Sequence, residues 1–107
     1  MSQPAPGTPQ TAPTTEVEAG TYTSIAPNWK VVYHNDDVTT FEFVIGSLMR
    51  FFHYDFGRAL ELTNEVHHTG AAVVAVLPFE DAEFKREQVT SAARGAGFPL
   101  SVSIEPD

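Results

Sequence analysis

Three observations predict an α+β fold. Three short β-branched or alternating runs, at 30–34, 71–77 and 100–104, are separated by helical patterns in the order β-α-α-β-α-β. Only His53, Tyr54 and Asp55 join the first two helical patterns, so these must fold back on each other as an αα-hairpin. All of this patterning falls within the last 79 of 107 residues, enough for one small core. Helices on one face of a three-stranded antiparallel sheet, a small sandwich, satisfy all three.

The elements follow in order. Lys30–His34 (KVVYH) is β-branched and aromatic and predicts a strand, which Asn35-Asp36-Asp37 breaks. Thr39 followed by Glu42 reads as a capping box, with Val38 and Phe43 as its hydrophobic staple. The helix behind it sets Phe41, Val44, Ile45, Leu48, Phe51 and Phe52 on one broad face and ends near His53. Asp55 is placed to cap a second helix with a stripe of Phe56, Ala59, Leu60, Thr63 and Val66, and Gly70 to stop it. Ala71–Leu77 is an unbroken apolar run and predicts a buried strand. Residues 80–94 predict a charged helix with Phe84, Ala92, Ala93 and Ala96 partly inward, stopped by Gly95, Gly97 and Pro99. Leu100, Val102 and Ile104 alternate with Ser101, Ser103 and Glu105 as a half-buried last strand.

Composition narrows the function. Residues 1–28 hold five of the eight prolines, six threonines, two acids and no base, and predict a disordered extension. Residues 29–107 are the predicted domain and carry all 6 Lys and Arg with 12 of the 14 acids, a charge of −6. That balance argues against nucleic acid, which requires clustered bases. No run reaches the ~18–20 apolar residues of a membrane span, and the first residues lack a secretory pattern. With no cysteine there is no disulfide, and a cytoplasmic location is expected.

The hairpin brings distant residues together. The start of its first helix lies beside the end of its second, which sets Asn35, Asp36 and Asp37 next to Val66, His67 and His68. Two carboxylates, an amide oxygen, an imidazole and the last carbonyls of a helix favour a compact cation rich in N–H groups. Phe41, Val44 and Val66 add apolar surface, so an amine beside a hydrophobic group fits, as at the N-terminus of a polypeptide. A plainer reading stands beside it. Asn-Asp-Asp is ordinary turn chemistry, and His67 at a helix end can serve the helix dipole. His34 and His53 have no spaced partners. No HExxH, G-x-S-x-G or phosphate loop is present, so no metal, no cofactor and no enzyme is expected.

Lys30-Val31-Val32, then Asn35-Asp36-Asp37, Thr39 and Glu42-Phe43-Val44, resembles the opening of the ClpS family of N-end rule adaptors. Phe51-Phe52, Tyr54-Asp55, Arg58-Ala59, Val66-His67, Gly70, Glu80, Ala82-Glu83, Lys85 and Pro99-Leu100 extend the likeness over roughly 29–105. The resemblance implies a non-enzymatic adaptor that binds N-degron substrates by a first residue of Phe, Tyr, Trp or Leu. It implies delivery of them to a Clp-family AAA+ unfoldase through that partner's N-terminal domain. It assigns the α-amine to Asn35, Asp36, Asp37 and His67, and the hydrophobic pocket to Thr39, Phe41, Val44, Thr63, Val66 and Leu100. Glu80 and Lys85 fall to the unfoldase interface, and the N-terminal extension to the handover. Three positions depart from the family pattern. Thr40 stands where Pro is usual at the first helical turn. Phe41 stands where Met is usual, and Thr63 where a larger apolar residue is usual, so a reshaped pocket is expected. Two rival readings share the fold: a peptide-binding module indifferent to the terminal residue, and an inhibitor that merely occupies the unfoldase.

Overall fold

The computed structural model describes residues 27–107, and most of the extension predicted over 1–28 lies outside the described residues. The elements are β1 (Asn28–His34), α1 (Phe41–Phe52), α2 (Phe56–Thr69), β2 (Ala71–Pro78), α3 (Phe79–Gly95) and β3 (Ser101–Pro106). β1 thus begins one residue inside the predicted extension. Asn28 pairs with Pro78, and its carbonyl accepts the Asp107 N–H at 3.1 Å.

The most β-branched run takes the centre of the sheet. The strand order is β2-β1-β3, antiparallel on both sides, and Val31, Val32 and Tyr33 are all buried. Alternate residues of β1 face the helices, where Val31 and Tyr33 join Ala72, Val74 and Val102 with Val44, Leu48, Leu62, Val66 and Val89 in one core. The β1–β2 register shifts between Val31 and Val32, which leaves Val74 as an extra, bulged residue. Its carbonyl accepts the Tyr54 hydroxyl at 2.5 Å, so the loop between α1 and α2 closes over the bulge.

Where the local reading errs, packing explains the difference. The apolar run 71–77 is only half-buried, with Val73 and Val76 more than 40% exposed. Among the described residues helices cover one sheet face alone, and an unbroken apolar run does not reveal that. The cap of α1 is Thr40, not Thr39; its hydroxyl accepts from Phe43 N–H at 3.1 Å. Thr39 is drawn into the preceding loop by Asp36 instead. Val38 is left 59% exposed, and Phe43 packs on Phe98, ring centres 5.2 Å apart. Leu62 rather than Phe56 fills the α2 stripe, and α3 turns Phe84 outward at 61% exposure while burying Ala82, Val89 and Ala93. Asp55 and Gly70 act as predicted. Asp55 accepts from Arg58 N–H at 2.8 Å, and Gly70 takes a left-handed φ of 92°. Among the described residues no helix is long and apolar enough to cross a membrane.

Tyr33 links the layers. Its hydroxyl is 2.8 Å from Ser47 Oγ, and Ser47 donates to the Val44 carbonyl at 2.8 Å. Burial pushes the phenol far above its ordinary value despite that hydrogen bond, so it stays protonated and the pair neutral. The cap assignment is testable by urea denaturation. Thr40→Ala is expected to lose about 1 kcal/mol of stability, and an unchanged midpoint would return the cap to Thr39.

Candidate functional site

The site starts where two elements end. β1 finishes at His34, which pairs with Ala71, the first residue of β2. The next residue, Asn35, donates its N–H to the carbonyl of Gly70 at 2.9 Å. Gly70 is also the turn that closes α2, its N–H donating to Val66 O at 3.0 Å. The strand exit is thereby tied to the helix exit, and the 35–39 loop lies along the last turn of α2.

Asp36 organises that loop. Its Oδ1 accepts from Val38 N–H at 2.8 Å and Thr39 N–H at 2.6 Å, while Oδ2 accepts the Thr39 hydroxyl at 2.8 Å. Burial acts to raise its pKa, but these donors and the charge of Arg94 outweigh it, and the carboxyl sits below its ordinary value. Asp37 takes part in no side-chain hydrogen bond among the described residues.

Between loop and hairpin lies a cavity of about 280 Å³ lined by Asn35, Asp36, Asp37, Thr39, Phe41, Val44, Thr63, Val66 and His67. It is smaller than the ~300–1,000 Å³ of drug-sized sites and fits one side chain with an attached amine. Its two halves differ in chemistry. Toward the loop are two carboxylates and an amide, joined by the imidazole of His67 from the last turn of α2 at that helix's negative end, and no lining residue is Lys or Arg. On the helix side Val44, Thr63 and Val66 are buried. The Thr63 hydroxyl donates to the Ala59 carbonyl at 2.7 Å, so the side chain offers the cavity a methyl group. Phe41 stands at the mouth, edge-on to His67, with ring centres 6.2 Å apart.

The two adjacent histidines separate clearly. His68 Nδ1–H donates to the Asn64 carbonyl at 2.8 Å along its own helix, whereas His67 faces the cavity. Leu100 is buried in the core and is not among the lining residues. Glu80 and Lys85 lie outside the cavity on α3, Glu80 exposed and Lys85 with its ammonium 6.0 Å above the Phe52 ring. The sequence reading missed Arg94. Its guanidinium donates to the carbonyls of Phe98 at 2.8 Å and Leu100 at 3.2 Å, and its charge acts on Asp36. The available signal was a base in the last turn of a helix that runs into Gly-Ala-Gly.

Comparison with known proteins matches this arrangement to one family. The family model for the ATP-dependent Clp protease adaptor protein ClpS matches residues 24–103. The chain belongs to the ClpS family. An ATP-dependent Clp protease adapter protein ClpS of Desulfatibacillum aliphaticivorans is 46% identical over 79 residues, 74% of this chain and 76% of that one. A Campylobacter jejuni ClpS is 37% identical over 95 residues, 89% of this chain and 99% of its own. Among solved structures, Agrobacterium tumefaciens ClpS2 bound to L-phenylalaninamide superposes with a TM-score of 0.76 at 34% identity. It covers 78% of this ClpS-family chain and all of its own.

The state of Asp36 gives the loop a pH dependence with a definite sign. A carboxyl lowered in the folded protein adds stability above the ordinary value of 3.8, and that stability disappears as pH falls through the lowered value. Asp36→Asn keeps an acceptor for the two N–H groups but cannot titrate. The stability difference between wild type and Asp36→Asn is therefore expected to shrink below pH 4 in denaturation series, and a constant difference contradicts the assignment.

Proposed function

We propose that this ClpS-family chain is a non-enzymatic adaptor. It captures the free first residue of a protein when that residue is bulky and hydrophobic, and delivers the protein to a Clp AAA+ unfoldase-protease. One observation carries the reading: a single small cavity is acceptor-rich and acidic on one side and apolar on the other. The ligand named for ClpS2, L-phenylalaninamide, has the matching halves, a free amine and a benzyl side chain.

In this mechanism Asn35, Asp37 and His67 accept from the α-ammonium. Asp36 acts mainly through the loop, because its oxygens already serve Val38 and Thr39. The side chain enters between Val44, Thr63, Val66 and Phe41. Burying it contributes roughly 1.5–3 kcal/mol, and each hydrogen bond to a charged amine roughly 1.5–3 kcal/mol. Three such contacts with one buried side chain reach the about −8 kcal/mol of micromolar binding when the cavity is preformed. Delivery uses a different surface, Glu80 and Lys85 on α3, through which the chain docks on the unfoldase N-terminal domain. Separating the two surfaces allows substrate and unfoldase to be held together. The extension before residue 27 acts in the handover.

Fluorescent peptides beginning with Phe, Leu or acetyl-Phe test the capture step. The free-amine peptides are expected to bind, and acetylation to weaken binding by roughly 100-fold, the loss of charge-assisted hydrogen bonds. Asp37→Asn and His67→Ala are expected to weaken the free-amine peptides selectively. Equal binding of Phe and acetyl-Phe peptides overturns the reading. For delivery, Glu80→Lys with Lys85→Glu is expected to abolish association with a purified Clp unfoldase while peptide affinity is unchanged. Retained association moves the interface elsewhere.

A further inference from the structure

We infer that the cavity is a rigid slot that selects a planar aromatic first side chain over a branched aliphatic one, with Phe41 setting the preference. This rests on the reading that the cavity receives the first residue of a polypeptide, and adds which class of first residue it prefers.

The argument lies in the stiffness of the walls. Val44, Thr63 and Val66 are 6%, 2% and 3% exposed, and all three are β-branched. In a helix Val has essentially one χ1 state, and the Thr63 rotamer is held by its bond to the Ala59 carbonyl. None of these side chains has the freedom of Met to change shape around a ligand. The fourth wall, Phe41, is a flat ring set at 86° to the imidazole of His67. Four stiff walls around about 280 Å³ cannot close on a ligand that leaves part of the space empty.

A first residue of Phe, Tyr or Trp brings its own ring beside Phe41. An aromatic pair adds a factor of roughly 2–10 in affinity beyond burial alone. The isobutyl group of Leu makes no such pair and leaves wall atoms without contacts. His67 both lines the amine side and faces the Phe41 ring, so the two ends of the ligand are read by side chains in contact.

The test uses two peptides identical except for a first residue of Phe or Leu, each also acetylated. Wild type is expected to bind the Phe peptide roughly 10-fold or more tightly than the Leu peptide. Phe41→Met, with a side chain that adapts to either ligand, is expected to bring that ratio to about 2 or below; Phe41→Leu removes the ring without adding a thioether and should do the same. Phe41 is 36% exposed, so both variants are expected to fold, which melting curves check. A wild-type ratio near 1, or a ratio unchanged in both variants, overturns the slot. If Phe and Leu peptides bind equally while acetylation still abolishes binding, the slot fails and terminal-residue capture stands. If no free-amine peptide binds, both fall.

Discussion

The antiparallel pairing of β1 with β2 ends in the hydrogen bond from Asn35 N–H to the Gly70 carbonyl, and the position of the site depends on it. The 35–39 loop leaves the sheet at that bond, and α2 enters the sheet at the same bond. Because Gly70 reverses the chain within one residue, at a φ of 92°, no slack separates helix end from strand start. His67, one turn back on α2, is therefore held across from Asn35. A longer connection or a one-residue change of register would separate the acceptors of the loop from the apolar walls of the hairpin. In a strand such a change also turns each side chain to the opposite face, so the buried residues of β1 defend the register that the site requires.

Polar groups near the cavity fall into two kinds. Those of Asp36, Thr39 and Thr63 are engaged within the protein, by the loop or by their own helix. They set shape and leave no buried donor or acceptor to be satisfied by a ligand. Asn35, Asp37 and His67 also line the cavity, and on the proposed function they are the groups a ligand satisfies. Two neighbouring aspartates thus do different work despite identical chemistry. The difference comes from loop geometry, which points one carboxylate inward to the Thr39 turn.

The same division appears in the fold. Stiff β-branched residues form the centre of the sheet and the walls of the cavity, while the flexible Met49 lies at the surface, 39% exposed. A cavity formed in advance loses little conformational entropy when a ligand enters, and so more of the contact energy appears as affinity. The corresponding limitation is in range: a stiff cavity accepts fewer shapes. The proposed adaptor function and the proposed aromatic preference both follow from that trade between affinity and range.

Local chemistry was legible in the chain itself. The α+β order, the Asp55 cap, the Gly70 stop and the hairpin that brings Asn35–Asp37 to His67 all rest on signals within a few residues, or on one short connection. Their energies are local, so the tertiary structure had no reason to override them. The family motifs also pointed to the residues that line the cavity, with Leu100 the exception, since its place depends on how β3 packs. Other outcomes required the assembled structure. Thr39 has the capping-box spacing to Glu42, and only its bond to Asp36, which holds it in the loop, passes the cap to Thr40. His67 and His68 are indistinguishable until α2 is rotated against α1, and Val73 looks as buried as Val74 until the helices occupy only one face. The last two are choices between near-equal local options, and contacts between residues far apart in the chain decide them.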